Sequence, residues 1–453
     1  MRALKDMPSW EKIAIMLTLF YLVVISAYLD LHYHNFVSLT IYTKPNSKLT
    51  VGDQEGVSGD TFVVSPGYIP VKAVSQGRVE VLSLALAVKG HNNTLHLDLP
   101  ATPKSQQVDG AEFCAYPCIN RETGLLYFLG NRGSSFVRLS PTGPATLNEE
   151  RLGNITQLSW SPDGSQAVLR VEPPDGFPIA PNSPVNCEYP TSFIYRVADN
   201  SFHKVAIEYG ASASSDKNGN LYYGAMEGQR SVVCKKALET PEPVTDDNLP
   251  DKNPRWKLDK DVLIPYCNVS PSGSLIAYTP SPRDDMSSND LFILDPITGK
   301  QVQLTSSGYI YSCLWSPSSR FLLFEYRNPD TQVPEVHCYD AKTSRFTHLS
   351  IRTYIQKVTF YSDDLIIFGR PADISKALNK QISTPDSLNY GSVVSGLYGS
   401  ILTPVEGVPS NYTCLVVTPN KNTLYYIDAL FLHKLDISAL HPLLDDLEAK
   451  GAG

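Results

Sequence analysis

Residues 158–164 read LSWSPDG, and the stretches CNVSPSG (267–273) and CLWSPSS (313–319) repeat this design. In each copy an apolar run ends at Ser-Pro and a two-residue turn. Proline has no N–H for a strand ladder and fixes φ, and Asp-Gly suits a turn that needs positive φ. The later copies replace Asp163 with Ser, which disfavours a catalytic or metal-binding role. We assign six residues to structural turns: Pro162, Asp163, Gly164, Pro271, Gly273 and Pro317.

The turn recurs along most of the chain, and an apolar strand follows each copy. Successive turns lie near residues 124, 164, 219, 273, 319, 363 and 422, a spacing of 40 to 59 residues. Further alternating segments, such as DLFILDPITGKQVQLT at 290–305, supply two more strands to each copy. A period of this length with short strands is typical of propeller blades. We therefore predict an all-β fold in which residues 111–439 form a β-propeller of seven four-stranded blades, with six or eight as alternatives. Trp160 and Trp315 are expected to pack between neighbouring blades.

The repeat resembles a known family. WSPDGSQAVL followed by IYRVAD, and LWSPSSRFLLF followed by HCYDAKT, look like TolB-like (WD40-like) propeller repeats, which also occur in prolyl-oligopeptidase-type peptidases. The resemblance covers residues 112–439 and implies a propeller. It does not carry peptidase activity, since the sequence has no GxSxG elbow and no room for an α/β-hydrolase domain.

An uncharged apolar run of 17 residues, IAIMLTLFYLVVISAYL, occupies positions 13–29. Its length just spans a hydrocarbon core, and Arg2, Lys5 and Lys12 precede it. We predict a cytoplasmic tail at 1–12, a single transmembrane helix at 13–31 and an extracytoplasmic remainder, at the cell surface or in the periplasm of a prokaryote. A signal peptide cleaved after Ala27 is the alternative.

Two shorter regions flank the propeller. Residues 37–100 alternate apolar and polar positions between Pro/Gly turns, which predicts a small β-sandwich. The region resembles PEGA domains, with PNSK in place of the name-giving tetrapeptide, and it would act as a spacer or a binding module. Within it, TLHLDLP (94–100) could complete the last blade, or the small domain could keep this strand, in which case closure of the ring would rely on packing alone. Leu440, Leu443, Leu444 and Leu447 predict a short helix in the tail 440–453.

Composition excludes several classes of function. The net charge is −8 and no Lys/Arg block occurs, so no nucleic-acid partner is expected. No metal-ligand spacing and no phosphate loop occur among the motifs, so no metal, cofactor or catalytic residue is assigned. Among the eight cysteines, Cys267 and Cys313 occupy apolar repeat positions, whereas Cys114 with Cys118, or Cys187, are bridge candidates.

The remaining candidate site is a rim of loops opposite the Ser-Pro turns. Loops carried by a rigid scaffold are common binding sites. Charged and aromatic residues in these loops form the predicted rim: Phe177, Tyr189, Arg283, Asp284, Asp285, Arg327, Asp330, Arg370 and Tyr390. Asp284, Asp285 and Asp290 could together hold calcium. The leading hypothesis is a non-catalytic binding module for a protein or glycan, and the alternative is a hydrolase or lyase acting on surface polysaccharide.

Overall fold

The computed structural model describes residues 16–26, 36–130, 135–148, 152, 154–172, 185, 191–205, 213–227, 230–237, 254–258, 263–281, 290–306, 309–327, 330–371, 374, 385–402 and 411–451. The chain divides into two compact units, Met1–Thr102 and Pro103–Gly453. Residues 16–26 are helical. Within the described ranges, no helix is both long enough and apolar enough to span a bilayer.

The first unit contains two sheets. Its strands are β1 (Val37–Tyr42), β2 (Lys48–Val51), β3 (Gln54–Val57), β4 (Thr61–Val64), β5 (Gly67–Val74), β6 (Val81–Ala87) and β7 (Asn93–His96). They are ordered β4-β1-β7 in one sheet and β3-β2-β5-β6 in the other. Alternate residues such as Leu39, Ile41, Val71 and Ala85 are buried, so one face of each sheet forms the core.

The second unit contains seven four-stranded antiparallel sheets, numbered here in chain order. Sheet 1 has β9 (Ala115–Ile119), β10 (Leu126–Gly130), β11 (Ser135–Ser140) and β12 (Gly143–Thr146); sheet 2 has β13 (Asn154–Trp160), β14 (Gln166–Glu172), β15 (Thr191–Arg196) and β16 (Ser201–Val205); sheet 3 has β17 (Ala213–Ser215), β18 (Asn220–Glu227), β19 (Arg230–Ala237) and β20 (Arg255–Lys257).

The remaining four sheets follow the same plan. Sheet 4 has β21 (Leu263–Val269), β22 (Ile276–Ser281), β23 (Phe292–Leu294) and β24 (Gln301–Gln303); sheet 5 has β25 (Tyr309–Trp315), β26 (Phe321–Arg327), β27 (Pro334–Asp340) and β28 (Arg345–Ile351); sheet 6 has β29 (Val358–Phe360), β30 (Leu365–Pro371), β31 (Asp386–Ser392) and β32 (Tyr398–Leu402); sheet 7 has β33 (Thr413–Val417), β34 (Thr423–Asp428), β35 (Phe431–Asp436) and β8 (Ser105–Glu112).

The sheets surround a common channel. One cavity of ≈ 830 Å³ is lined by residues from the first strand of every sheet, namely β9, β13, β17, β21, β25, β29 and β33. Buried apolar clusters fill the spaces between neighbouring sheets; one joins Tyr222 and Val233 of sheet 3 to Val269 and Ile276 of sheet 4. Sheets that radiate from a shared axis in this way form a β-propeller, and the all-β prediction is confirmed.

The ring closes through a strand from the N-terminal end of this unit. β8 pairs antiparallel with β35, so the last sheet combines residues from both ends of the propeller. The sequence suggested 94–100 as the shared strand, which is wrong; the alternative, in which the small N-terminal domain keeps that strand, is confirmed, but the ring closes through β8 and not by packing alone. Asn93–His96 pairs instead with β1 in the first unit, where Leu95 lies opposite Ile41.

The Ser-Pro turns have the expected geometry. Gly164 and Gly273 adopt φ of +68° and +74°, and Ser319 occupies the same position with φ +70°. The Asp163 carboxylate accepts hydrogen bonds from the Ser161 hydroxyl at 2.5 Å and from the Ser165 amide at 3.1 Å. Burial raises the pKa of Asp163, but the hydrogen bonds from Ser161 and Ser165 outweigh it and the net pKa is lowered. Asp163 is therefore an ionised acceptor within the turn.

The turns also bond to the turns of neighbouring sheets. The contacts form what we call the turn girdle: Arg121 N to Asp163 O (2.8 Å), Lys217 N to Pro271 O (2.9 Å), Ser272 N to Ser319 Oγ (2.9 Å) and Ser318 N to Asp363 Oδ1 (2.9 Å). They join sheets 1 to 2, 3 to 4, 4 to 5 and 5 to 6. The repeated motif thus closes each strand pair and also links the sheets around the ring.

Two tryptophans and two cysteines of the repeats pack as the sequence predicts. Trp160 donates its indole N–H to Tyr116 O at 2.9 Å and Trp315 donates to Asn268 O at 3.1 Å, so both tryptophans contact the preceding sheet as expected. Cys267 and Cys313 are buried, also as expected.

The suggested bridge between Cys114 and Cys118 is contradicted by the structure. Cys114 and Cys118 are both thiols, and the part of the chain with described coordinates contains no disulfide. Cys114 is packed in the apolar cluster between sheets 7 and 1, where it behaves as a small core residue. Cys187 lies outside the described residues.

The C-terminal tail forms a helix over His441–Gly451, preceded by a 3₁₀ turn at Ser438–Leu440. Leu440, Leu444 and Leu447 are buried, so these leucines pack the helix onto the propeller. The His441 ring lies 6.5 Å from that of Tyr361, and its Nε2 donates to Lys421 O at 2.8 Å. The helix therefore covers the turn end of sheets 6 and 7.

Candidate functional site

The larger of two cavities along the channel lies at the end where the turn girdle is. This turn-side chamber is the ≈ 830 Å³ cavity, and its charged lining residues are Arg121, Asp363 and Lys421. Two of the three already have protein partners: Asp363 accepts the Ser318 amide, and Lys421 Nζ lies 3.8 Å from Glu448 of the C-terminal helix. The rest of the lining combines proline, aliphatic and aromatic side chains with hydroxyl and amide groups such as Ser159, Ser215 and Asn268.

A second cavity continues the channel toward the opposite, loop-bearing end. This loop-side pocket has a volume of ≈ 230 Å³ and shares Ser159, Ser214 and Asn268 with the chamber. Its lining side chains are largely neutral and polar or aromatic, and they include Tyr116, Gln157, Ser192 and Tyr266, with Arg170 as the charged member. A volume of this order fits a single sugar ring or one amino-acid residue.

β-Bulges shape the pocket. The pairing register shifts in five of the seven first strands, namely β9, β13, β21, β25 and β33. Tyr116 lies at the first of these bulges with φ +50°, an unusual conformation for a tyrosine. Tyr116 and Tyr266 remain 42% and 40% exposed although they belong to innermost strands. Bulges re-aim side chains next to binding sites, and here they leave two aromatic rings open to the channel.

Hydrogen bonds between sheets hold the pocket wall in place. Tyr116 O accepts the Trp160 indole N–H, and Asn268 exchanges bonds with sheet 5 through Cys313 O (2.9 Å) and the Trp315 indole. Burial, with smaller contributions from Cys313 and Cys267, raises the pKa of Tyr266 to about 12. The Tyr266 phenol is therefore neutral at physiological pH and available as a hydrogen-bond donor.

Sequence reasoning did not single out Tyr116 or Tyr266. A signal was present, since Pro117 and Pro265 interrupt strand-like segments next to these tyrosines. Proline inside a sheet is confined to edges and bulges, so a proline in an innermost strand predicts a bulge. The direction in which the bulge turns its neighbour depends on pairing with the next strand, which the sequence does not reveal.

Four charged residues lie near the loop end of sheets 5 and 6; we call them the loop-side charge cluster. Lys357 Nζ contacts Asp386 Oδ2 at 2.6 Å, and both side chains are buried. Asp386 Oδ2 also accepts the Tyr412 amide from sheet 7 at 3.2 Å. Buried Glu325 accepts Arg327 Nη2 at 2.7 Å and the Ile355 amide at 3.0 Å. The cluster is charge-balanced and ties three sheets together.

The structure places only part of the predicted rim. Phe177, Tyr189, Arg283, Asp284 and Asp285 lie outside the described residues. Arg327, Asp330 and Arg370 lie at or just beyond the loop-side ends of β26 and β30, and Asp330 and Arg370 are exposed. Tyr390 was assigned wrongly: it lies inside β31 at 1% exposure, and Gly399 allows its ring to pack against the neighbouring strand.

The described residues contain no cluster of three or more His, Cys, Asp or Glu side chains placed to hold a metal ion. Asp290, the described member of the suggested calcium set, is buried and accepts hydrogen bonds from Gln303 Nε2 (3.1 Å) and Thr305 Oγ1 (3.3 Å). Its side chain therefore stabilises sheet 4 through these hydrogen bonds.

His337 is a buried titratable group in the middle of sheet 5. Its Nε2 lies 3.2 Å from His348 Nδ1, and the rings of Phe324, Tyr326 and Phe346 surround it. Burial, and secondarily the neighbouring His348, lower the pKa of His337 to about 4. The ring is therefore neutral at physiological pH and acts as a core residue.

Comparisons with known proteins find solved structures of low similarity and no matching family. No protein-family model matches the chain, and no curated protein matches it. Similar solved structures include an oligogalacturonate lyase in complex with manganese, with 12% identity, 74% of this chain and 96% of that chain covered, and a TM-score of 0.49. TolB from Acinetobacter baumannii has 13% identity, coverage of 76% and 78%, and a TM-score of 0.39. A putative TolB from Agrobacterium tumefaciens has 14% identity, coverage of 70% and 95%, and a TM-score of 0.37.

The propeller assignment rests on the sheets of this chain, and the comparisons give no support to the PEGA resemblance. The neighbours include both TolB proteins and a lyase, and they do not decide between binding and catalysis. The function has to be argued from the channel of this chain.

Proposed function

We propose that this protein is a membrane-anchored, extracytoplasmic β-propeller that binds a protein or glycan partner through the loop-side pocket and performs no catalysis. The observation that carries the proposal is the lining of this pocket. Two partly exposed tyrosines, Tyr116 and Tyr266, stand among amide and hydroxyl groups on a wall that is cross-linked by hydrogen bonds.

The chemistry of this lining favours binding of a neutral polar group. Tyrosine combines an apolar ring face with a hydroxyl, so it contacts sugar rings and peptide side chains alike. Gln157 and Asn268 carry both donors and acceptors, which suits a ligand rich in hydroxyl or amide groups. Because the wall is held by bonds between sheets, the pocket loses little conformational entropy on binding.

Catalysis on a polysaccharide is the alternative, and it would need two converging carboxylates or a histidine at the pocket. Of the described residues that line the two cavities, Asp363 is the one carboxylate, and it is engaged by the Ser318 amide in the turn girdle. None of the described residues that line the channel therefore specifically supports the catalytic alternative.

The anchor, orientation and blade number also belong to this proposal. Residues 16–26 form a helix with exposed, apolar side chains inside the uncharged run 13–29, which supports a membrane segment. The basic residues before the run favour a cytoplasmic N-terminus in a prokaryotic cell. The seven described sheets, the last completed by β8, support seven blades.

The binding proposal can be tested with the full chain in lipid nanodiscs. The ligand pool is a mixture of oligosaccharides and peptides released from the envelope of the source cells, and the retained fraction is identified by mass spectrometry. The test variant is Tyr116→Ala/Tyr266→Ala. It keeps the bond from Trp160, because Tyr116 accepts that bond through its backbone carbonyl. The control is Tyr42→Ala, an exposed tyrosine in the first unit.

We expect wild type and Tyr42→Ala to retain the same molecules and the double variant to lose most of them. Removing two aromatic contacts should weaken binding by about 2–4 kcal/mol, or about 30- to 1,000-fold. Equal retention by the double variant would overturn the assignment of the pocket. Shortening of retained oligosaccharides during incubation would instead favour the catalytic alternative.

A further inference from the structure

Strand order places one end of the first unit next to the proposed anchor. The chain enters this unit at Val37, where β1 begins, and Val37 and Ser38 pair with Val64 and Val63 at the end of β4. Asn93, at the start of β7, lies opposite Leu39 and donates its amide to Ser38 O and Val88 O. The turns that join β4 to β5 and β6 to β7 therefore lie at the end of the unit where the chain arrives from the apolar run.

Large apolar side chains are exposed at this anchor-proximal end. Val63, Tyr68, Leu86 and Val88 are between 39% and 69% exposed, and Tyr68 lies directly opposite Leu86 in the β5–β6 pairing. We call these four residues the anchor-proximal patch. The exposed Lys89 and His91 follow Val88 in the same turn and give the patch a basic border.

Alternation in the strands shows that the core of the unit does not need these side chains. In β6 the inward residues Val81, Ser83, Ala85 and Ala87 are buried, whereas Leu86 points to the other face. The outer face of the companion sheet carries Val63 as well as polar pairs such as the Thr40–Thr61 hydrogen bond. Exposed apolar residues also occur at the other end of the unit, at Tyr42, Val57 and Val74, so the anchor-proximal end is distinguished by its connection to the apolar run.

We propose that the anchor-proximal patch rests in the interfacial layer of the lipid bilayer, with Tyr68 at headgroup level and Lys89 toward lipid phosphates. This inference rests on the proposed membrane anchor. The chain between residue 26 and Val37 limits the distance from the helix to the patch to about 40 Å even when fully extended. A tyrosine beside aliphatic residues with a basic border matches the composition of interfacial contacts in membrane proteins.

The experiment uses the full chain in nanodiscs made of phosphatidylcholine and phosphatidylglycerol. Tyr68→Trp reports on the patch, and Tyr42→Trp is the matched control, since Tyr42 is an exposed tyrosine at the opposite end of β1. Emission of the introduced tryptophan, taken as the difference from wild type, is compared between ordinary lipids and lipids brominated on the acyl chains.

We expect the indole introduced by Tyr68→Trp to emit at shorter wavelength and to be strongly quenched by the brominated lipid, while the indole introduced by Tyr42→Trp stays unquenched. A Leu86→Ser/Val88→Ser change in the Tyr68→Trp background should reduce the quenching. If the chain inserts in nanodiscs but the Tyr68→Trp variant is quenched no more than the Tyr42→Trp control, the patch proposal is wrong and the anchor stands. Failure of the chain to enter nanodiscs would defeat the anchor itself. A blue shift without quenching would assign the patch to a protein contact.

Discussion

The two ends of the propeller channel are built differently. At the turn end, the strand pairs of sheets 2, 4 and 5 close with one motif, and neighbouring turns share backbone and hydroxyl hydrogen bonds. At the loop end, bulges interrupt five of the first strands, and buried ion pairs such as Lys357–Asp386 join sheets 5 to 7. The repeated end is held by local hydrogen bonds to backbone, hydroxyl and carboxylate groups, whereas the varied end depends on individual buried ion pairs and carries the loop-side pocket. The loop end therefore combines buried ion pairs with the pocket of the proposed binding site, and the turn end depends on the repeated turn.

Removing Lys357 tests the loop end most severely. Lys357→Met leaves the Asp386 carboxylate buried without its cation, which should cost about 3–5 kcal/mol in free energy of unfolding. The double variant Lys357→Met/Asp386→Leu removes both charges and should recover most of this loss. Thermal unfolding of the full chain measures both.

The control for this change is Lys257→Met, which breaks the exposed pair with Glu227 at 3.8 Å. Exposed pairs contribute about 0–1 kcal/mol, so its melting temperature should hardly move. A Lys357→Met protein that melts with wild type would mean that the loop end does not depend on its buried charges.

Gly164→Ala tests the turn end with a smaller expected effect. Its Cβ would clash with the backbone carbonyl of Ile119 in the neighbouring sheet, and φ is +68°. Left-handed backbone and the steric clash together should cost about 2–4 kcal/mol. Gly299→Ala has the same strain (φ +71°) but no atom within 4 Å, so it should lose only about 1–2 kcal/mol. Equal losses in the two variants, measured by thermal unfolding, would show that the close approach between turns contributes nothing.

Lowering the pH should destabilise sheet 5, through His337, and the Asp163 turn in different pH ranges. The pKa of folded His337 is about 4, below the ordinary value of about 6.5. Between these values the unfolded chain binds a proton that the folded chain does not, so stability falls by about 1–3 kcal/mol as pH drops from 6.5 to 4. Asp163 has a lowered pKa, so its stabilisation is present above about 3.9 and is lost only below that.

Unfolding followed from pH 7 to 4.5 should therefore report the loss at His337 together with a contribution from half-buried His433, whose pKa is also lowered by burial. His337→Phe, which fits among the surrounding aromatic rings, should flatten the profile in this range, whereas the exposed His91→Gln should leave it unchanged. An unchanged profile in His337→Phe would assign the acid sensitivity to another group.

The sequence predicted the repeated features well because each is encoded locally. Pro162, Asp163 and Gly164 specify a turn without reference to distant residues, and strand alternation indicates which face is buried. Pairings between strands that are far apart in the sequence could not be predicted from local patterns. Residues 94–100 alternate apolar and polar positions, whereas 105–112 (SQQVDGAE) do not, so the pairing of 105–112 with β35 depends on tertiary packing.

The candidate site shows the same division. Tyr390 has the composition of a binding residue, but its burial is decided by Gly399 on the adjacent strand. Tyr116 and Tyr266 resemble ordinary strand residues in the sequence, and only the bulges leave them open to the channel. Local sequence patterns therefore predict the strands and turns of the propeller, whereas the pocket forms where bulges interrupt regular strand pairing.

Because β8 closes the ring, it is synthesised long before the strand with which it pairs. Ser105 and Tyr426, whose hydroxyl groups are in contact in sheet 7, are separated by 321 positions. At a synthesis rate of about 5–20 residues per second, β8 emerges roughly 15–60 s before its partner strand. During that interval the nascent chain exposes an unpaired strand edge, and the first sheet cannot be sealed against the last. A cell that makes this protein must shield that edge until the final blade has been synthesised.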